Sequence, residues 1–359
     1  MMSARSFLLR VLFFPVNGSG MGHMNRCLAY AHHMRDTAEC SFFSQASAIE
    51  YIEEMGFAAD YFVSPSWSCN GTYDWNTELA LRFGMVLERT RPDVVVFDGT
   101  WPYQGFLAAC RAYNRPLKLV WSSRGLLKKS AKDVPVDESL FDLVIIPGEL
   151  GAVYGEVALP GCNKKITVPP VTLLDAGELL GMVDARNQLH LDPQRRYVLF
   201  SLGAGNINNV DGIGHRLIQY LQLAGYSVVW ACPPISVKDV ELSPLVMPLA
   251  VYPLARYLQA FDCMVGAAGY NTCCEVVQTQ IPCLLVPNLQ TKADDQARRA
   301  QLVARHAPVV VSSCETHEET VAAVCSLLQL AGTHQPAPCS LPLDGATRAA
   351  EAMLALARS

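Results

Sequence analysis

The sequence predicts an α/β protein built as two Rossmann-like lobes that face each other across a cleft. Three observations carry that expectation. Short runs rich in Val, Ile, Leu and Phe alternate with helix-length amphipathic stretches along the whole chain, the pattern of βα units that build parallel sheets. The 359 residues allow two domains at roughly 150 residues each, both large enough to bury a core. With 51% hydrophobic and 17% charged residues, and Gly and Pro near average usage, the chain is neither disordered nor collagen-like nor low in complexity.

In chain order, the first lobe takes its strands from Leu8–Pro15, Cys40–Ser44, Ala58–Val63, Asp93–Asp98, Leu117–Ser122 and Phe141–Ile146. The second takes them from Tyr197–Leu202, Ser227–Ala231, Pro248–Val251, Asp262–Gly266, Pro282–Val286 and Pro308–Val311. Between them, Leu159 to Pro193 holds Pro160-Gly161, Pro169-Pro170 and a polar, weakly periodic stretch, which reads as the connection. The lobes are therefore placed at residues 1–170 and 197–343, with the linker at 171–196. A Pro-rich loop then leads to a helix from Thr347 to Arg358, capped by Asp344, that is expected to return to the first lobe within 344–359.

Charge and cysteine content exclude several classes. Lys and Arg number 28 against 33 Asp and Glu, a net charge of −5, and no basic run exceeds scattered pairs such as Lys128-Lys129, so nucleic acid is not an expected partner. The apolar stretch Val11–Val16 is too short for a signal peptide or a spanning helix and reads as a buried strand, so a cytoplasmic location is expected. The thirteen cysteines are scattered without any Cys-x-x-Cys, so they read as reduced, buried, small apolar side chains.

Strand one runs into Asn17-Gly18-Ser19-Gly20-Met21-Gly22-His23-Met24-Asn25-Arg26, a glycine-rich turn that opens a helix. Glycines let a ligand approach the backbone, and a helix N-terminus favours negative charge. The G-x-G-x-G spacing is not the dinucleotide fingerprint, and Ser44-Gln45 stands where a ribose-binding acid would be required. His23, at the carboxyl end of a first strand, can take a proton near neutral pH; the plainer alternative is an exposed or capping His. Asp98 ends another strand, where its carboxylate could orient that imidazole or simply begin an Asp-Gly turn with Gly99.

In the second lobe, the loop Gly203-Ala204-Gly205-Asn206 offers amides to phosphate oxygens, and Gly269-Tyr270-Asn271-Thr272 opens another helix at a carboxyl strand edge. Two anion sites on one lobe imply a diphosphate. Glu275, three residues after Thr272, could catch ribose hydroxyls, or Thr-x-x-Glu could be a capping box.

From Pro248 to Leu302 the sequence resembles the donor-binding half of GT-B glycosyltransferases, both the peptidoglycan N-acetylglucosaminyltransferase and the UDP-glycosyltransferases. The resemblance rests on Gly269, Tyr270, Asn271, Thr272, Glu275, Pro282, Pro287 and Asp295-Gln296, and on the similarity of Gly20-Met21-Gly22-His23 with Arg26 to these enzymes' His loop. It implies that Glu275 binds ribose, Thr272 and nearby amides the diphosphate, and Asp295-Gln296 the donor sugar, with His23 as general base and Asp98 as its partner. Ala267 stands where many UDP-glycosyltransferases have a phosphate-contacting His, and no stacking aromatic is evident around Leu249 to Tyr252. The base is thus open between uridine and thymidine.

The resulting expectation is an inverting glycosyltransferase that uses a nucleotide sugar, a UDP-sugar ahead of a dTDP-sugar, as donor substrate and has no resident cofactor. No Asp-x-Asp pair is present to call for a carboxylate-held metal. Gly22–Leu28 also resembles the UDP-sugar hydrolase of pseudaminic acid biosynthesis, the main alternative; a non-catalytic sugar-binding protein is the second. The acceptor is left open among glycans, lipid-linked and small molecules. Trp67, Tyr73 and Trp75, on the stretch Ser64–Leu79, could stack on a sugar or make peripheral membrane contact, or pack as a plain loop.

Overall fold

The computed structural model describes residues 8–16, 20–68, 72–123, 126, 128, 137–150, 154–159, 162–203, 210–232, 244–291, 294–335, 338–339 and 341–359. In chain order the first half forms β1 (Leu9–Pro15), α1 (Gly22–Met34), β2 (Ala38–Ser44), α2 (Glu50–Glu54), β3 (Ala58–Tyr61), α3 (Thr72–Thr90), β4 (Val94–Asp98), α4 (Gln104–Ala112), β5 (Lys118–Ser122), β6 (Leu143–Pro147), β7 (Gly155–Leu159) and β8 (Cys162–Val168). The second half forms α5 (Met182–Gln188), β9 (Tyr197–Ser201), α6 (Val210–Leu223), β10 (Ser227–Ala231), β11 (Val246–Leu249), β12 (Cys263–Ala267), α7 (Tyr270–Thr279), β13 (Cys283–Val286), α8 (Gln296–Val303), β14 (Val309–Val311), α9 (His317–Thr333) and α10 (Gly345–Ala357).

All twelve strands read from the sequence form, in two sheets ordered β3-β2-β1-β4-β5-β6-β8-β7 and β11-β10-β9-β12-β13-β14. Every pairing is parallel except β7 with β8. Strands covered on both faces need apolar side chains at consecutive positions, which is why Val94-Val95-Val96-Phe97 is buried throughout. Alternate residues then serve opposite faces: Phe13 joins one first-lobe core and Phe14 the other. Phe14 packs against Phe43, Phe83, Phe97 and Phe106 at centroid distances of 5.1–5.5 Å. A fully buried phenyl ring of this kind stabilises by about 1.5–3 kcal/mol.

The winding order matters for function. In the first sheet the chain turns from β1 to β2 and β3 on one side and to β4 on the other, with Pro15 paired beside Asp98. The second sheet repeats this at β9 and β12, where Ser201 pairs beside Gly266. Each sheet therefore has a switch point whose carboxyl strand ends open a crevice.

The stretch Leu159–Pro193, read from the sequence as the connection, begins inside the first lobe's sheet, within the 1–170 assigned to that lobe. β7 and β8 continue the first sheet to Val168, with Pro160-Gly161, which lies outside the described residues, between them. Leu173 and Leu174 are buried in the first-lobe core, which also takes in Ala346, Ala349, Ala350 and Met353 of α10. The return of α10 requires glycine at its start, because a Cβ on Gly345 would lie 1.9 Å from the Pro169 carbonyl oxygen. Asp344 occupies the N-cap position without a side-chain cap bond; its carboxylate pairs with Arg348 instead.

Trp75 takes the packed alternative, on a helix instead of a loop. It belongs to α3 and is 2% exposed, with Nε1 donating to the Val63 carbonyl at 2.9 Å and the ring against Phe62 and Tyr103, so it can meet neither a sugar nor a membrane. The side chains of Trp67 and Tyr73 lie outside the described residues. No helix among the described residues is long and apolar enough to cross a membrane. The described cysteines are free thiols, most of them buried, and burial pushes Cys40 and Cys110 up to about 12.

Candidate functional site

At the first switch point, α1 starts within one residue of His23, and β4 delivers Asp98 beside it. Asp98 is fully buried and His23 is 4% exposed, which removes the reading of an exposed histidine. Asp98 Oδ1 lies 2.6 Å from His23 Nδ1. Arg26, one turn further along α1, donates from Nε to Asp98 Oδ2 at 2.7 Å and from Nη2 to Oδ1 at 2.5 Å. The Asp98 side chain is thus committed to α1 and not to a turn with Gly99.

Burial alone would raise the Asp98 pKa, but the Arg26 guanidinium and the His23 hydrogen bond outweigh it and hold the carboxyl at about 2. An ionised Asp98 only accepts, so His23 Nδ1 carries the proton and donates, and Nε2 becomes the basic nitrogen. Arg26 neutralises the carboxylate, so Asp98 chiefly fixes the ring's tautomer and angle. Arg26 is a site residue that the sequence reading did not single out, although His-x-x-Arg spacing places both side chains on one helix face.

At the second switch point, Gly203, two residues past the end of β9, has φ +87°, a left-handed conformation that favours glycine. Ala204, Gly205 and Asn206 lie outside the described residues. After β12, Gly269 is the N-cap of α7, with no side-chain cap bond to its first turn. A Cβ on Gly22 or on Gly269 would meet nothing within 4 Å, so packing does not explain glycine at either helix start.

Asn271 and Thr272 occupy the second and third positions of α7. Thr272 is therefore not an N-cap, and the capping-box reading of Thr272 with Glu275 fails. The side chain of Glu275, partly buried and close to Tyr252, has no hydrogen-bond or ion-pair partner among the described residues, and desolvation pushes its carboxyl up to about 7. Beside it, Tyr252 donates from its hydroxyl to Asn25 Oδ1 at 3.0 Å and stacks on Tyr51 at 4.2 Å, joining the two lobes.

Other predicted residues have local duties. Asp295 Oδ1 caps α8 by accepting from the Arg298 amide at 3.1 Å, and Gln296 Oε1 accepts from the Asn288 amide at 2.9 Å. Tyr270 donates its hydroxyl to the Gly148 carbonyl at 3.0 Å and accepts from the Val171 amide at 2.9 Å. Behind it, buried Arg299 binds Glu149 of the first lobe through Nη2 at 2.7 Å, and also Asp294 and the Ala268 carbonyl. Glu149, just beyond the carboxyl end of β6, was open to the same strand-end reasoning that found Asp98.

Residues 218–338 match the model of the glycosyltransferase family 28 C-terminal domain, a span that contains α7, Glu275, Asp295 and Gln296. Solved structures match almost the entire chain. Spinosyn rhamnosyltransferase SpnG complexed with thymidine diphosphate is 17% identical with a TM-score of 0.56, covering 98% of this chain and 96% of that one. MurG of Acinetobacter baumannii is 12% identical with a TM-score of 0.55, covering 96% and 99%. The chain has the GT-B fold.

UDP-GlcNAc 2-epimerase of Methanocaldococcus jannaschii matches as well, at 12% identity and a TM-score of 0.60 over 96% of this chain and 99% of that one. No curated protein sequence matches. The GT-B likeness therefore gives the architecture, and because a transferase and an epimerase both stand among these structures, the chemistry has to be argued from side chains.

Proposed function

We propose that the protein transfers a sugar from a nucleoside diphosphate sugar, a UDP- or dTDP-sugar, to an acceptor hydroxyl with inversion at the anomeric carbon. The observation that carries this reading is the placement of the buried His23–Asp98 pair at one switch point against the uncapped start of α7, with unpartnered Glu275, at the other. The family 28 match over the second lobe and the thymidine diphosphate in SpnG support the donor class.

Glu275 accepts from the ribose hydroxyls, and the first-turn amides of α7, with Asn271 and Thr272, meet the diphosphate. Gly203–Asn206 and Asp295-Gln296 complete the donor site in this reading, toward phosphate and sugar respectively. His23 Nε2 takes the proton from the acceptor hydroxyl as its oxygen attacks the anomeric carbon from the face opposite the diphosphate. The bond to the phosphate oxygen breaks, the electron pair leaves on the diphosphate, and the positive end of the α7 dipole stabilises the charge that builds there.

A hydrolase would use the same base on water, so the test must include the acceptor. Purified protein is expected to release UDP from UDP-sugars slowly alone and much faster with acceptor-containing cell extract. His23→Ala should lower that turnover by roughly 10²–10⁴. Rapid stoichiometric release of free sugar without any acceptor would make the protein a sugar-nucleotide hydrolase.

A further inference from the structure

Tyr270 stands at the first position of α7, where the sequence alone assigns it to the donor. Its side chain is occupied otherwise. The hydroxyl joins α7 to two backbone groups outside the second lobe, the Gly148 carbonyl after β6 and the Val171 amide of the linker. The ring packs against the first-lobe core.

Two guanidinium groups also lie over this ring, Arg26 with Cζ at 5.9 Å from the centroid and Arg299 at 5.8 Å. Each is tied elsewhere: Arg26 holds Asp98, which holds His23, and Arg299 holds Glu149 of the first lobe and the Ala268 carbonyl just before α7. A cation over an aromatic face is attracted most strongly where water is excluded, and both arginines are nearly fully buried. Tyr270 is thus the common neighbour of the His23 group, the start of α7 and the ion pair that joins the lobes.

We infer that Tyr270 is a positioning residue for transfer: it sets the start of the donor helix against the His23–Asp98–Arg26 group, so that base and leaving group keep the separation that in-line attack requires. This rests on the transfer reading given above. The geometry has to be held because a displacement of about 1 Å between reacting groups can cost on the order of 10²-fold in rate. Nucleotide binding is not expected to depend on Tyr270, because the groups assigned to the nucleotide, Glu275 and the α7 amides, belong to the second lobe.

The test measures UDP affinity and acceptor-dependent UDP release for wild type, Tyr270→Phe and Tyr270→Leu. Phe keeps the ring beneath both cations and removes the two backbone bonds; Leu removes both contributions. The expected result is a kcat lowered about 10-fold in Tyr270→Phe and on the order of 100-fold in Tyr270→Leu, with UDP Kd and donor KM within twofold of wild type. Phe should therefore rescue part of the loss seen in Leu. Wild-type kcat in a folded Tyr270→Phe protein overturns the inference, as does a parallel loss of kcat and UDP affinity, which would return Tyr270 to the donor site. Should Tyr270→Leu fail to fold, Tyr270→Phe alone decides. Failure of the transfer reading itself would show differently, in the wild-type protein: no binding of UDP or dTDP, or rapid release of free sugar without any acceptor.

Discussion

Asp98, fully buried, and Glu275, partly buried, are carboxylates near the two switch points, and the fold treats them in opposite ways. Asp98 receives Arg26 and His23 and is held at about 2; Glu275 receives nothing from the described residues and is pushed to about 7. Removing one partner of a buried ion pair is costly because the other charge is left uncompensated, and an unpaired carboxylate costs stability wherever it is ionised. In the proposed reading the first lobe carries a fully paired catalytic group and the second a group whose value lies in binding, the pattern in which proteins give up stability at functional sites.

The largest expected effect comes from breaking the paired side. Asp98→Asn keeps a hydrogen-bonding partner for His23 but leaves the Arg26 charge buried without its counter-ion, which should cost about 3–5 kcal/mol in denaturant unfolding. A loss below about 1 kcal/mol would mean that water, and not Asp98, compensates Arg26.

Glu275→Gln should do the reverse. The folded carboxyl near 7 lies above the ordinary 4.5, so the folded state holds the extra proton, and stability falls as pH rises between those values and stays lower above them. Removing that charge should stabilise the ligand-free protein by about 1–3 kcal/mol at pH 8 and by almost nothing at pH 4.5. Equal stability of the two proteins at pH 8 would indicate that Glu275 is solvated and ends the contrast with Asp98.

The same contrast shows what a linear sequence can disclose. Apolar runs revealed twelve strands because doubly covered parallel strands need them, while β8 escaped notice because Lys164 and Lys165 interrupt its apolar pattern. His23 and Asp98 were legible because strand carboxyl ends meet at a switch point whatever the loops do. The capping-box ambiguity at Glu275 could not be resolved from spacing, since it turns on whether the helix starts at Thr272 or at Gly269. Tyr252, Tyr270, Glu149 and Arg299 were invisible in these roles because each acts between lobes, through contacts that only tertiary packing sets.

The central claim is that nucleotide binding belongs to the second lobe and proton removal to the first, and melting curves recorded with UDP and dTDP test it most directly. Ligand at 100 times its Kd should stabilise the protein by about 2.7 kcal/mol. The account predicts equal upward shifts for wild type and His23→Ala, and a much smaller shift for Glu275→Gln. No shift of wild type with either nucleotide, or a full shift in Glu275→Gln, would contradict it.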